Sequence, residues 1–187
     1  MKKIISLIVL LINLTVVAQK ECEYSSNVTD SIGTYKSTKD YIMHERVFAG
    51  NQTIIYFSLI NADGLPSLGV QIIQKSEGFV KANCFDKNSR IFFQLANGKI
   101  ISLIGIDLDT CGNAFRVDNV NSRILSGYFL FMKDSFEDLK KSPVNLMRIK
   151  YGTETVDYVM KGQLTSEIDK NTYYPENYFI NYLKCIE

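Results

Sequence analysis

The sequence predicts an α+β fold, in which a mainly antiparallel β-sheet carries a C-terminal helix packed on it and one further short helix. Between residues 41 and 161, runs rich in Ile, Val, Phe, Tyr and Leu are short and are separated by Gly, Asn and Asp. This pattern is typical of strands joined by tight turns. A helical period appears only twice, and Asn97-Gly98 between two apolar runs favours a β-hairpin.

Eight strands are expected, and neighbours in the sequence are expected to pair as a meander. The expected strands are 41–48, 53–61, 68–75, 90–96, 99–106, 124–132, 144–151 and 155–161. Turn residues at Gly50-Asn51, at 62–66 and at Gly152-Thr153 support these connections. The polar stretch between Ile106 and Ser122 is expected to be a long loop.

The hairpin at Asn97-Gly98 also predicts a register. A two-residue type I′ turn places Ala96 opposite Lys99. The apolar face is then expected to contain Ile91, Phe93, Leu95, Ile100, Ser102 and Ile104. We expect this face to lie in the core and the opposite face to be partly covered by a helix or a second sheet.

Two helices are expected after the central strands. The first covers 136–141, is capped by Asp134 or Ser135, and ends before Pro143. The second begins near Pro175 and has an apolar stripe that should pack on the sheet. This stripe consists of Tyr178, Phe179, Tyr182, Leu183 and Ile186.

Residues 1–18 have the layout of a secretory signal peptide, with a start charged by Lys2 and Lys3, an apolar run and a small-residue exit at Ala18. The run is shorter than the roughly 20 residues that span a bilayer, and no second such run follows. We therefore expect a secreted or periplasmic protein without a transmembrane segment. The mature chain is expected to have an irregular N-terminal arm at 19–40 and a single α+β domain at 41–187.

Charge and motifs exclude several classes of function. Loss of Lys2 and Lys3 with the signal peptide changes the formal net charge from +1 to −1, so no field of one sign favours nucleic acid. The sequence contains no P-loop, no Gly-x-Ser-x-Gly elbow and no dinucleotide-binding turn. No cofactor is expected, and catalytic activity is not favoured.

All four cysteines lie in the mature part, and an even number in an exported chain favours disulfides. Three pairings are possible. We favour Cys84 with Cys111, which one hairpin separates, and Cys22 with Cys185, which lie near the mature termini. A lipid anchor on Cys22 is disfavoured because residues 19–21 are polar and charged rather than small and apolar.

One polar segment partly resembles a calcium-binding loop. Asp107, Asp109 and Asp118 occupy positions one, three and twelve of such a loop, and Gly112 occupies position six. Position five is Cys111, a poor ligand for a hard cation, and the last position lacks the bidentate Glu. An Asx-rich turn is the competing interpretation.

His44 is the only histidine, and His44-Glu45 resembles half of a zinc-protease motif. Phe48 stands where the second histidine ligand would be needed. We therefore interpret His44 as a strand residue satisfied by a hydrogen bond rather than as a catalytic or metal-binding group.

Tyrosines near the C-terminus allow a sugar-stacking platform. The candidates are Tyr173, Tyr174, Tyr178 and Tyr182. An amphipathic helix explains the last two without a ligand, because aromatic residues are more often used in cores.

Several segments in this order resemble small exported proteins of uncharacterised function from Bacteroidota-type bacteria. The segments are 92–101, 109–112, 128–131, 136–144 and 147–149. The likeness covers residues 41–187 and implies an α+β fold in a bacterial envelope. It carries over no active site.

Three functions are compatible with these observations. The first is an exported, non-catalytic binding or interaction protein with a protein or glycan partner in the envelope. The second is a module that binds a glycan or a small hydrophobic ligand, motivated by 11 Tyr and 11 Phe residues. The third is a carboxylate-dependent hydrolase that would use Asp107, Asp109 and Asp118.

Overall fold

A computed structural model describes residues 20–106, 109–132 and 135–187. The expected signal peptide at 1–18 lies outside the described residues. The strands are β1 (Tyr24–Thr29), β2 (Thr34–Thr38), β3 (Tyr41–Phe48), β4 (Asn51–Ala62), β5 (Leu65–Ser76), β6 (Arg90–Leu95), β7 (Ile100–Ile106), β8 (Asn113–Val117), β9 (Val120–Phe131), β10 (Val144–Lys150), β11 (Thr155–Val159), β12 (Leu164–Thr165) and β13 (Thr172–Tyr173). The helices are α1 (Ser135–Leu139) and α2 (Tyr178–Tyr182), and 3-10 turns at Pro175–Asn177 and Leu183–Ile186 flank α2.

Within the described residues, eleven strands form one antiparallel sheet in the order β1-β2-β4-β5-β9-β7-β6-β10-β11, with β3 beside β4 and β8 beside β9. The expected meander is only partly right. Sequence neighbours pair in β3–β4, β4–β5, β6–β7 and β10–β11, as predicted. β7 and β9, the expected fifth and sixth strands, also pair, whereas β5–β9 and β6–β10 join strands that are distant in the sequence.

The prediction of an irregular arm at 19–40 is wrong. β1 and β2 form a hairpin, and β2 continues the sheet by pairing with β4. The domain therefore begins before residue 41. These strands show no clear apolar alternation because most of their side chains remain partly or fully exposed.

Part of the expected loop between Ile106 and Ser122 is a strand, β8, that the sequence pattern does not predict. β8 pairs with β9 through a two-residue turn, in which Asp118 and Asn119 have φ values of 48° and 65°. All five residues of β8 are exposed, so its sequence carries no burial signal.

The predicted hairpin at Asn97-Gly98 exists, but its register differs by one residue. Gly98 has a φ of 85° and closes a three-residue loop, in which the Leu95 N–H donates to the Lys99 carbonyl at 2.8 Å. A shift of one residue exchanges the faces of a strand. The buried residues are therefore Ile91, Phe93, Leu95, Ile101 and Leu103, whereas Ile100 is 67% exposed.

The C-terminal helix packs on the sheet as predicted. Phe179 on α2 contacts Phe57 on β4, Phe93 on β6 and Phe131 on β9, with ring centroids 6.3, 4.9 and 6.1 Å apart. One side chain can reach three separated strands only because the sheet curls around α2. Tyr178, Phe179, Leu183 and Ile186 of the expected stripe are buried in the main core, and Tyr182 packs against it.

A smaller apolar cluster lies on the opposite face of β3, β4 and β5. The β12–β13 hairpin covers this face, and Leu164 packs there with Ile42 and Ile54. Tyr173, at the end of β13, packs against the same cluster. This hairpin places Tyr173 next to the start of β3.

Both favoured disulfides form. Cys22 is bonded to Cys185 with the Cα atoms 5.6 Å apart, and Cys84 is bonded to Cys111 with the Cα atoms 4.0 Å apart. Disulfides persist in oxidising compartments, so the two crosslinks indicate an extracellular or periplasmic environment. No helix in the described part of the chain is both long enough and apolar enough to cross a membrane.

Candidate binding cleft

A cleft of about 500 Å³ lies between the N-terminal strands and the C-terminal segment. The Cys22–Cys185 disulfide holds the two sides together. The Tyr24 hydroxyl strengthens this contact by donating to the Cys185 carbonyl at 2.9 Å. As a result, Lys20 and Glu23 lie near the C-terminal segment and form part of the cleft wall.

Tyrosines from three separate elements meet in the cleft around Tyr41. The Tyr41 ring is 4.9 Å from the Tyr173 ring, 4.9 Å from the Tyr178 ring and 5.3 Å from the Tyr182 ring, between centroids. Tyr178 and Tyr182 are four residues apart and therefore share one face of α2. The Tyr174 backbone N–H donates to the Tyr41 hydroxyl at 2.6 Å, which fixes the ring of Tyr41.

The hydroxyl of Tyr178 is buried without a hydrogen bond. Tyr178 lines the cleft and is 2% exposed, and its Oη has no hydrogen-bond partner of normal geometry among the described residues. The nearest polar side chain is that of Thr38, whose hydroxyl accepts the Leu59 N–H at 2.9 Å. A buried polar group without a partner is rare in native proteins and is costly. The Tyr178 hydroxyl is therefore a group that a bound ligand could satisfy.

The tyrosines of the cleft are neutral near physiological pH. Burial raises the pKa of Tyr41 to about 12, although the hydrogen bond from the Tyr174 backbone partly opposes this effect. Burial raises the pKa of Tyr173 to about 12, and the Asp169 carboxylate adds to the increase. The hydroxyls can therefore donate and accept hydrogen bonds without carrying charge.

Charged residues line the rim of the cleft. Lys39 and Glu23 form an exposed ion pair at 2.9 Å, and the hydrogen bond from Lys39 lowers the pKa of Glu23. Asp40 forms no ion pair within the described part of the chain. Neighbouring protein atoms desolvate its carboxyl and raise the pKa of Asp40, even though the residue remains open to solvent on one side.

Lys20 lies over aromatic rings rather than beside a carboxylate. Its Nζ is 4.6 Å from the Tyr174 ring centroid and 6.0 Å from the Tyr182 ring centroid. These distances fall within the range of cation–π interactions. One cation already occupies the aromatic surface at the mouth of the cleft.

The sequence pattern predicts only part of this site. Tyr173, Tyr178 and Tyr182 line the cleft, and Tyr174 lies at its mouth, but Tyr178 is too buried to stack on a sugar. Tyr41 and the charged residues at 20–40 were missed. The favoured pairing of Cys22 with Cys185 was the one available signal, because it brings residues 20–23 to the C-terminal helix.

Asp109 and Asp118, two of the calcium-loop candidates, lie too far apart to share one ion. Asp107 lies outside the described residues, and Asp109 and Asp118 flank opposite ends of β8. β8 alone spans about 13 Å at ~3.3 Å per residue, whereas two ligands of one calcium ion lie within about 5 Å of each other. Among the described residues, no group of three or more His, Cys, Asp or Glu side chains could hold a metal ion. The same separation argues against a hydrolase that pairs Asp109 with Asp118.

His44 lies on β3, as expected, but away from the cleft. An irregularity at Met43 shifts the pairing with β4, and His44 then stands opposite the buried Ile55. The His44 ring centroid is 5.0 Å from the ring of Tyr158 on β11. Burial lowers the pKa of His44, and the charges of Lys161 and Arg46 lower it further.

Comparison of the chain with protein-family models, with curated proteins and with solved structures gives no match.

Proposed function

We propose that this protein is an exported, non-catalytic binding protein and that its ligand binds in the tyrosine cleft. The buried, unpartnered Tyr178 hydroxyl in a concave site is the observation that carries this proposal. The cleft volume of about 500 Å³ lies within the range of small-molecule sites, roughly 300–1,000 Å³. The two disulfides and the signal-peptide pattern at 1–18 support export.

The chemistry of the lining favours binding over catalysis. A general acid or base works best when its pKa is close to the operating pH. Tyr41 and Tyr173 have pKa values of about 12, so at neutral pH they act as fixed hydrogen-bonding groups. The hydrogen bond from Lys39 lowers the pKa of Glu23, so the Glu23 carboxylate is charged at neutral pH.

Ligand screening by thermal shift tests this proposal. The mature protein is screened against neutral sugars, aromatic acids and organic cations, and each hit is confirmed by tyrosine fluorescence, because the chain has no Trp. We expect at least one ligand class to raise the melting temperature of the wild type. The Tyr182→Ala variant, which loses one wall of the cleft, should lose this effect.

The Tyr128→Ala variant is the matched control. Tyr128 is 53% exposed on β9 and lies outside the cleft, so this variant should retain binding. Far-UV circular dichroism verifies that both variants are folded. The proposal is wrong if no compound in the screen binds, or if Tyr182→Ala and Tyr128→Ala bind the hits as well as the wild type does.

A further inference from the structure

The cleft contains the ammonium group of Lys20, and the surroundings of this group indicate which ligand chemistry the cleft accepts. Lys20 Nζ lies 4.6 Å from the Tyr174 ring centroid, and no carboxylate within the described ranges pairs with this ammonium group. Tyr182 contributes a second ring at 6.0 Å. The aromatic surface, rather than an ion pair, therefore holds the charge of Lys20.

The acidic residues of the cleft leave one negative charge without a close partner. Lys39 neutralises Glu23 at 2.9 Å, whereas Asp40 has no ion pair in the part of the chain that the structure describes. Asp40 and Lys20 line the same cleft with opposite charges and form no ion pair with each other. A ligand that replaced Lys20 would need to be positively charged to keep this balance.

An anion or a neutral sugar fits the cleft less well. An anion would meet the carboxylates of Glu23 and Asp40 and the electron-rich faces of the tyrosine rings. A sugar would also have to displace Lys20 from the Tyr174 ring but would bring no charge to replace it, and Tyr178 is only 2% exposed. A cation uses both features of the site, the ring faces and the free carboxylate.

Building on the proposed binding function, we infer that the cleft recognises an organic ammonium group and that Lys20 occupies this position as an internal competitor in the free protein. The ring of Tyr174 forms the outer wall of the site and Tyr182 the inner wall. Asp40 supplies the countercharge, and the unpartnered Tyr178 hydroxyl accepts a hydrogen bond from a polar group on the ligand.

Calorimetric titration with choline and with its neutral isostere 3,3-dimethyl-1-butanol tests this inference. We expect choline to bind saturably and to bind at least about fivefold more tightly than the isostere, in line with a desolvated cation–π contact. Nα-acetyl-lysine amide, which carries a primary ammonium on a peptide unit, is the third ligand. Its affinity relative to choline shows whether the site prefers a free small cation or a peptide-borne one.

The variant Lys20→Ala gives the sharpest result. Choline affinity should rise if Lys20 is a competitor and fall if Lys20 helps to bind the ligand. Removal of an internal competitor should tighten choline binding about two- to fivefold. The control Lys87→Ala removes one positive charge outside the cleft and should leave the affinity unchanged. Asp40→Asn should weaken choline binding without weakening the binding of the isostere.

Three results would overturn the inference: weaker choline binding by Lys20→Ala, equal affinities for choline and its isostere, or no binding of either ammonium compound. If a neutral sugar binds instead and Tyr182→Ala abolishes that binding, the proposed binding function stands and only the ammonium specificity is wrong. If no ligand of any class binds, both proposals fail.

Discussion

Removal of the Cys22–Cys185 disulfide should destabilise this protein more than removal of the Cys84–Cys111 disulfide. The first bond closes a loop with a sequence separation of 163, and the second closes one of 27. In the chain-entropy model the cost of closing a loop grows with the logarithm of its length. This model gives about 5 kcal/mol for the long loop and ~3.5 kcal/mol for the short one.

Urea unfolding of two double variants measures this difference. Cys22→Ala/Cys185→Ala is compared with Cys84→Ala/Cys111→Ala and with the wild type by circular dichroism at 25 °C. With a slope of about 2 kcal/mol per M urea, the midpoint should fall by roughly 2.5 M in the first variant and ~1.8 M in the second. A folded domain has a net stability of about 5–15 kcal/mol, so the first variant loses a large part of it.

The same variant also tests how the cleft is held together. Lys20 and Glu23 form one wall of the cleft, and Cys22 between them is bonded to the 3-10 turn that follows α2, so loss of the bond should abolish ligand binding under conditions where the variant is still folded. A smaller loss of stability in the long-loop variant than in the short-loop variant would contradict the chain-entropy model for this protein. Unchanged ligand affinity in the folded long-loop variant would refute the role of the disulfide in the cleft.

Three further predictions concern the core, a turn and the only histidine. Phe179→Ala should lower the free energy of unfolding by about 3–5 kcal/mol, because this ring fills the space inside the curled sheet. The control Ile180→Ala, at a position that is 37% exposed, should lower it much less. Equal losses of stability in urea unfolding would contradict this packing. Gly98→Ala should cost about 1 kcal/mol because Gly98 has a φ of 85°, and Gly78→Ala, where a Cβ meets only an ordinary contact at 3.6 Å, should cost less. Burial lowers the pKa of His44 below its unfolded value, so the neutral form favours folding, and the stability of the protein should decrease as the pH falls below about 6.5. Urea midpoints between pH 5 and 8 measure this decrease. If His44→Gln leaves the pH profile of stability unchanged, His44 makes no such contribution.

Local signals in the sequence were sufficient for much of the fold. β3 occupies 41–48, as predicted, because an apolar strand pattern ends at a tight turn containing Gly50. The C-terminal helix was found through its apolar stripe, in which Phe179 is almost completely buried. Helix period and turn chemistry depend on neighbouring residues, so a single sequence carries them.

Features that depend on distant partners were missed. β1, β2 and β8 have largely exposed side chains, and β2 and β8 join the sheet only through pairing with the long strands β4 and β9. The hairpin register depended on whether Asn97 or only Gly98 takes a positive φ, and Asn-Gly permits both loop types. A one-residue difference then exchanged Ile100 for Ile101 in the core.

The cleft was the least predictable part of the molecule. The Tyr41 hydroxyl meets the Tyr174 backbone across 133 residues of sequence, so no local pattern marks Tyr41 as a site residue. The C-terminal tyrosines were noticed by composition, yet Tyr178 packs in the core and Tyr174 reaches the surface. Whether one of these tyrosines packs in the core or reaches the surface depends on the way the sheet curls around α2.

Tyrosine-ring NMR of the mature, disulfide-bonded protein tests most directly whether the cleft binds a ligand. The protein is labelled at the tyrosine rings and titrated with choline and, separately, with cellobiose. We predict saturable shifts at Tyr41, Tyr174 and Tyr182 with choline, and unchanged resonances at the exposed Tyr35 and Tyr128. The absence of any saturable shift with both compounds, or shifts of equal size at Tyr128, would contradict binding in the cleft.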